Sequence, residues 1–440
     1  MRLAETCGLQ GIVRERLRVP TDKGANAPGK AATIVAGMVT GADSIDDLDA
    51  LRHGGMAELF GGVYAPSTLG SFLRAFRHGH VRQLQAVSRQ FLVRLAERTP
   101  LLPGADAVTF VDVDSLLRRV YGKQKQGAGF GHAKVGGYRV LLRGLTPLVA
   151  TVSTPDAAPV IAATQLRAGN AASARGAASL VAEAIVTAKA VTTAGLGRPA
   201  SDIVVRADAA FYAKKVIAAC RRARVRFSVT IRIDRKVRTT IEAIPEHAWV
   251  EIQYPQPIWD DDQQRWVSRA QIAETGYTAF DGTRDAVTAR LIVRRVPDLT
   301  KTQIDGQGEL FPVWRYHAAF TDSPFVLVQA EQQHRGHAVI EQVFAELIDG
   351  PLAHLPSGRF PANNAWLACA AIAHNLTRAA ATLAGRRYAT ARAATIRRHL
   401  INLAARTARH ARGIIIHLPQ HWPWQHEWLR LFTTVHPPPA

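Results

Sequence analysis
The chain has 440 residues, 47% apolar and 20% charged, enough apolar content for a large core and too much for wholesale disorder. At roughly 100–200 residues per domain, the length suits two to four domains or one domain with large insertions. Its 55 basic and 35 acidic residues leave a formal net charge of +20, which favours a polyanionic partner over a small metabolite.

Residues 1–104 read as helical. Ala31–Gly41 is a helix ended by glycine. Ser44 caps a helix running to Arg52, with acids in its first turn. Ser67, after Pro66, caps another. Val81–Arg98 carries Leu84, Val87, Phe91, Leu92 and Leu95 at helical period. The basic residues around them, Arg74, Arg77 and Arg82 among them, suit a DNA-binding bundle. A helical scaffold with a solvated basic face fits them equally well.

From residue 105 the period changes to two. Val108–Ser115 (VTFVDVDS), Tyr138–Arg143 and Val160–Leu166 read as strands. Ala171–Ala194 follows as a long Ala-rich helix, then Asp202–Asp208 as a strand, Phe211–Ala223 as a helix and Arg226–Ile233 as a strand. That order gives a mixed α/β sheet with its crossovers in place. Residues 234–325 hold Trp249, Trp259, Trp266 and Trp314 and read as β-rich, with Thr288–Val296 and Trp314–Thr321 as paired strands. Glu331–Leu347 is a helix. Between Pro356 and Ala440 one acid, Glu427, stands against eleven arginines, a basic helical segment closed by Trp422, Trp424 and Trp428.

Cys7, Cys220 and Cys369 lie far apart, which argues against a thiolate zinc site and a disulfide framework. MRLAETCGLQ has no basic run before an apolar stretch, so no signal peptide is expected. Apolar runs such as Leu145–Val152 are too short to span a bilayer. A cytoplasmic, nucleoid-associated protein with no membrane partner is expected.

Three places supply carboxylates. Asp112 and Asp114 share one face of their strand, with Val111 and Val113 on the other. Asp208 ends the strand IVVRAD. His334, His337 and Glu341 share a helix face at i, i+3 and i+7. Carboxylates at strand ends are costly to bury unless they hold cations. Converging carboxylates can hold two Mg²⁺ ions about 3.5–4 Å apart, which activate a water or a 3′-hydroxyl and steady the leaving oxygen. Each residue also has a plain reading, Asp208 as a helix cap and Glu341 as a solvated surface residue.

Taken together, FVDVDSLLRRVYGKQKQGAGFG, VVRADAAFY, GQGELFPVWRYHAAFTDSP, HRGHAVIEQVFAEL and GPLAHLPSGRFPANNAWLACAAIAHNL carry a resemblance. GMVTGADSIDDLDALRHGGM and APSTLGSFLRAFRHGHVRQL extend it toward the N-terminus. The chain resembles a cut-and-paste DDE transposase of the insertion-sequence 1380 family, over nearly its whole length. The resemblance implies a ribonuclease-H-like core and a catalytic, metal-holding triad of Asp114, Asp208 and Glu341, with Asp112 as the alternative first carboxylate. Mg²⁺, or Mn²⁺ in its place, is the implied cofactor. The implied partners are double-stranded DNA, as inverted repeats and as target, and a second copy of the chain in a synaptic dimer. The implied divisions are a helical DNA-binding domain (1–104), a core in two parts (105–233 and 326–384) around a β-rich insertion (234–325), and a basic helical tail (385–440). Against the family, the start at MRLAE is expected to lack the first part of the helical domain.

The sequence departs from the family at three places. Leu116 replaces a common Thr, and Ala209 a common Ser. His334, His337 and Ile348 stand where the broader group has Tyr, Arg and Lys that grip phosphate. His334 and His337 are therefore candidate DNA contacts, as are Trp259 and Trp266 for stacking on a displaced base. The alternatives are a metal-dependent nuclease of the same fold and an inactive DNA-binding remnant.

Overall fold
The computed structural model describes the whole chain except Thr21, Gly61, Lys123, Gly136, Gly137, Ser201, and residues 261–263, 298–312, 411–412 and 438–440. The GQGELFP part of GQGELFPVWRYHAAFTDSP and Lys123 of the first quoted segment thus lie outside the described residues.

The N-terminal unit is helical, and its local signals account for most of its boundaries. Ala27–Thr40 begins before the expected Ala31, because Asn26 accepts a bond from the Gly29 amide at 3.3 Å and Pro28 fits the first turn. Ser44 and Asp47 bond each other's amides at 3.3 and 3.0 Å, but the turn they open, Asp46–Arg52, is a 3₁₀ helix. Ser67 does not cap: Pro66 takes the first helical position of Pro66–Arg74, so Ser67 lies inside it. The long helix His78–Arg98 buries Val81, Leu84, Val87, Phe91, Leu92 and Leu95. Arg89 and Arg82 both reach Glu183, which ties this helix to Ala177–Leu196.

The strands are β1 (Thr109–Ser115), β2 (Arg118–Arg119), β3 (Gly129–Val135), β4 (Tyr138–Thr154), β5 (Ala157–Ala168), β6 (Ile203–Ala207), β7 (Arg226–Ile231), β8 (Val250–Asp260), β9 (Arg265–Ala279), β10 (Val287–Pro297) and β11 (Trp314–Thr321). They form one mixed sheet in which β5, β4, β1, β6, β7, β11, β10, β9 and β8 are neighbours in that order. β1, β6 and β7 are parallel, and β4 runs antiparallel to β1. Strand β3 has no counterpart in the sequence reading. Its glycines mask the β signal, and Gly131 is needed because a Cβ there would stand 2.4 Å from the Gly169 carbonyl. Strand β11 pairs with β7, so the aromatic stretch extends the core sheet.

Two helices fix the sheet from outside. Phe360–Ala384 lies along the free edge of β5. The Asn375 side chain takes the Ile161 N–H at 2.7 Å and gives to its carbonyl at 2.8 Å. His374 bonds the Pro159 carbonyl at 3.0 Å. An edge strand that would otherwise expose pairing groups is thereby covered. The helix Ala177–Leu196 is long and apolar enough by composition to cross a membrane, but half of that window is buried. It packs on β4, β5 and His78–Arg98.

Glu331–Leu347 is not one helix. It divides into Leu327–Arg335, a 3₁₀ turn at Gly336–Ala338, and Val339–Ile348. A Cβ on Gly336 would meet the Arg206 guanidinium at 2.8 Å, so the break falls where that cation passes. The tail is not wholly helical either. Arg406–His410 (β12) and Gly413–His417 (β13) form a separate hairpin, built on the β-branched run Ile414–Ile416.

Candidate active site
The alternation of β1 is realised. Val111 and Val113 are fully buried in the main core, while Phe110, on the opposite face, packs with Val204 in a separate cluster. Asp112 and Asp114 share that opposite face, and their surroundings separate them.

Asp112 is fully buried and saturated. Arg206, its register partner on β6, bonds both of its oxygens at 2.7 Å. His337 Nδ1 lies 2.9 Å from Oδ1, and Ser153 Oγ 3.4 Å from Oδ2. Burial works to raise the Asp112 pKa, but Arg206 and His337 together outweigh it and hold the carboxyl below its ordinary value. A carboxylate so paired has no oxygen free for a metal, which removes Asp112 as the alternative first ligand.

Asp114 is the opposite case. Val113 and Ala207 are the last residues paired between β1 and β6, so Asp114, the next residue of β1, and Asp208, the residue just past β6, come at the same level. Adjacent strands lie about 4.8 Å apart. Burial, helped by the Asp208 and Glu341 charges, pushes Asp114 up to about 6, against the Ser115 N–H it accepts at 2.6 Å. Desolvation by the surrounding protein likewise raises Asp208, although that side chain keeps access to solvent. Asp208 also caps the turn Ala209–Phe211, accepting from the Ala210 N–H at 3.0 Å. Its plain role and its site role thus coexist. Glu341 is exposed in the first turn of Val339–Ile348 and acts electrostatically on Asp114.

His334, His337 and Glu341 line one cavity of about 260 Å³ with Thr230 and Arg294, so the face expected from helical spacing survives the break at Gly336. The two histidines differ in use. His334 has both ring nitrogens engaged, by Ser228 Oγ at 2.9 Å and Thr230 Oγ1 at 3.0 Å, and burial pushes its pKa down to about 3. Its imidazole is neutral and committed to Ser228 and Thr230, which weakens the DNA contact expected of it although it lines the cavity. His337 is held from behind by Asp112, and its charge acts on both Asp114 and Asp208.

The other expected contacts also divide. Trp259 and Trp266 face each other across β8 and β9, 5.4 Å apart edge to face and 42% and 65% exposed. Trp249 stacks on Arg295 at 4.1 Å and serves packing. Arg77 caps the helix His78–Arg98, its own N–H bonded to His80. Arg82 is engaged by Glu183. Arg74 lines a surface cleft. Sequence reasoning missed Arg206, although a lone cation in the apolar strand IVVRAD, in step with Asp112, was a signal for it.

Among the described residues, no three His, Cys, Asp or Glu side chains are gathered closely enough to form a ready-made metal cluster. The donor chemistry nevertheless fits a hard divalent cation. Asp114 and Asp208 are neighbouring carboxylates that make no ion pair among the described residues, and burial is the first cause that raises both.

The sequence profile of one family, transposase DDE domain group 1, matches residues 31–439. No curated protein matches the chain significantly.

Proposed function
The chain belongs to the transposase DDE domain group 1 family, and from that premise we propose a DNA transposase of the insertion-sequence 1380 type with a ribonuclease-H-like core. Asp114, Asp208 and Glu341 are its catalytic carboxylates. The observation that carries this reading is the pair Asp114 and Asp208, at the same level where the parallel pairing of β1 and β6 ends, with Glu341 within electrostatic reach. The strand order β5, β4, β1, β6, β7, with β4 antiparallel, supports the core assignment.

The three carboxylates would hold Mg²⁺, or Mn²⁺ in its place. When bound, the cations make water or a 3′-hydroxyl a competent nucleophile and stabilise the leaving oxygen. The rest falls to the chain's own side chains. Asp112, fixed by Arg206, orients His337 from behind, so that its other ring nitrogen is free to meet a phosphate oxygen beside the carboxylates. Trp259 and Trp266 offer faces on which a displaced base at a DNA end can stack. The helical unit 1–104 would read inverted repeats, the sheet would cut and join, and the tail 385–440 would track backbone. Two ends cut together call for a dimer. Action at the nucleoid in the cytoplasm follows from the same reading.

The test is an end-cleavage and strand-transfer assay with the flanking inverted repeat and a supercoiled target, in Mg²⁺ and in EDTA. Metal-dependent cutting and joining, both lost in Asp208→Ala, is the expected result. Cutting without joining would make the protein a nuclease. Specific binding without cutting would make it an inactive remnant.

A further inference from the structure
A second charged feature lies outside the carboxylate site. Where the chain leaves β1, Arg118 donates to the carbonyls of Leu352 at 2.8 Å and Ala353 at 3.1 Å. The segments that follow the Asp114 strand and the Glu341 helix are thereby stitched together. Beside this seam the N-terminal helices leave a cleft of about 580 Å³. Arg74 enters it from the helical unit, Arg119, Tyr121 and Lys125 from the segment after β1, and His354 from the segment after Val339–Ile348.

The cleft is cationic without matching acids. Among the described residues Asp46 is the one acid lining it. Asp43, close by, is already bonded to His354 at 2.9 Å. Arg359 adds a further cation at the rim, donating to the Arg74 carbonyl at 2.9 Å. Lys125 is bonded to the Leu355 carbonyl, and burial first and the Arg143 charge second lower its pKa. Arg119 is exposed and lies 4.8 Å from the Tyr121 ring, itself 70% exposed. Core packing explains neither of these two side chains. Arg74, Arg119 and Lys125, cations brought together from two chain segments, stay repulsive until a polyanion enters.

We propose that this cleft is a binding track for the phosphodiester backbone of duplex DNA, carrying it from the N-terminal helices toward the Asp114–Asp208 edge. The proposal rests on the transposase reading and names how that site is fed. Arg119 and Arg74 contact phosphates, and Tyr121 holds the Arg119 guanidinium. Backbone contacts position the duplex without reading its sequence.

The test uses the full chain and fluorescence anisotropy across a salt series, with a terminal-repeat duplex and an unrelated duplex. Arg119→Ala should weaken both duplexes alike, by several-fold, and reduce the salt slope by about one. Adding Arg74→Ala should reduce it by about two in all. Arg198→Ala is the charge-matched control. It is exposed and precedes β6, at the sheet end opposite Asp208, and should leave the slope at the wild-type value. A slope in Arg119→Ala equal to that in Arg198→Ala overturns the track. So does a loss confined to the terminal repeat, which would mean base reading. If wild type cuts DNA while Arg119→Ala keeps its slope, only the track fails. If wild type binds no DNA, the transposase reading fails with it.

Discussion

Asp112 and Asp114 sit two residues apart on one strand face, yet their surroundings send their charges in opposite directions. Asp112→Asn would leave Arg206 buried without a counter-charge, a loss of about 3–5 kcal/mol. Urea denaturation should show that loss, and a midpoint equal to wild type would mean that Asp112 does not neutralise Arg206. Asp114 behaves differently with pH. Its folded value near 6 lies above the ordinary carboxylate value, so between about pH 4 and 6 the folded chain holds more protons than the unfolded one. Stability from this group is present at the acid end and lost as pH rises through 6. In EDTA, the thermal midpoint of wild type should therefore fall relative to Asp114→Asn from about pH 4.5 to 8. A constant difference would remove the raised pKa. Both aspartates were legible in VTFVDVDS, but their different roles were not. Arg206 lies 94 positions from Asp112 and His337 lies 225 positions away, and local pattern cannot place partners so distant.

At the scale of elements, periodicity located most strands and helices, and side-chain chemistry set their ends. The errors share a cause. Glycine hid β3 and divided the Glu341 helix, and in both places it is present because another group approaches closely. Asn375 illustrates a further limit. In sequence it is one polar residue within the Ala-rich run 365–384. In the fold it pairs with both backbone groups of Ile161 on the edge of β5. Asn375→Ala would leave a buried N–H and C=O unpaired, at a cost of about 2–4 kcal/mol. Denaturant unfolding should report that loss, with amide exchange at Ile161 accelerated. Unchanged protection there would show the edge to be held by other contacts.

For the whole molecule, one sheet joins the carboxylates on β1 and β6 to the tryptophan hairpin of β8 and β9, with β7, β11 and β10 between them. On the proposed transposase reading, a DNA end at the carboxylates would share one sheet with this aromatic surface. Replacing both Trp259 and Trp266 with Ala should cost about 1–3 kcal/mol per stacked base. The loss should appear with ends carrying an unpaired base and not with a blunt duplex, as measured by anisotropy. Equal loss with both would assign the pair to folding or general affinity. Neither residue is needed for the core, since both are exposed.

Sequence by itself determined the mixed α/β class, the basic balance, the positions of Asp114, Asp208 and Glu341, and a resemblance whose family is borne out at the level of the transposase DDE domain. The class and the charge follow from composition and short-range period, which a linear chain carries openly, while the triad was singled out by the motifs that carry the resemblance. Only the tertiary structure decided that Asp112 is spent on Arg206, that His334 is bonded at both ring nitrogens by Ser228 and Thr230 while His337 is held by Asp112, and that Trp249 packs while Trp259 and Trp266 stay open. It also decided that basic side chains from three segments, Arg74, Arg119 with Lys125, and His354, share one cleft. Each of those outcomes depends on which distant groups become neighbours, and burial then sets whether a charge is paired, neutral or left for a partner.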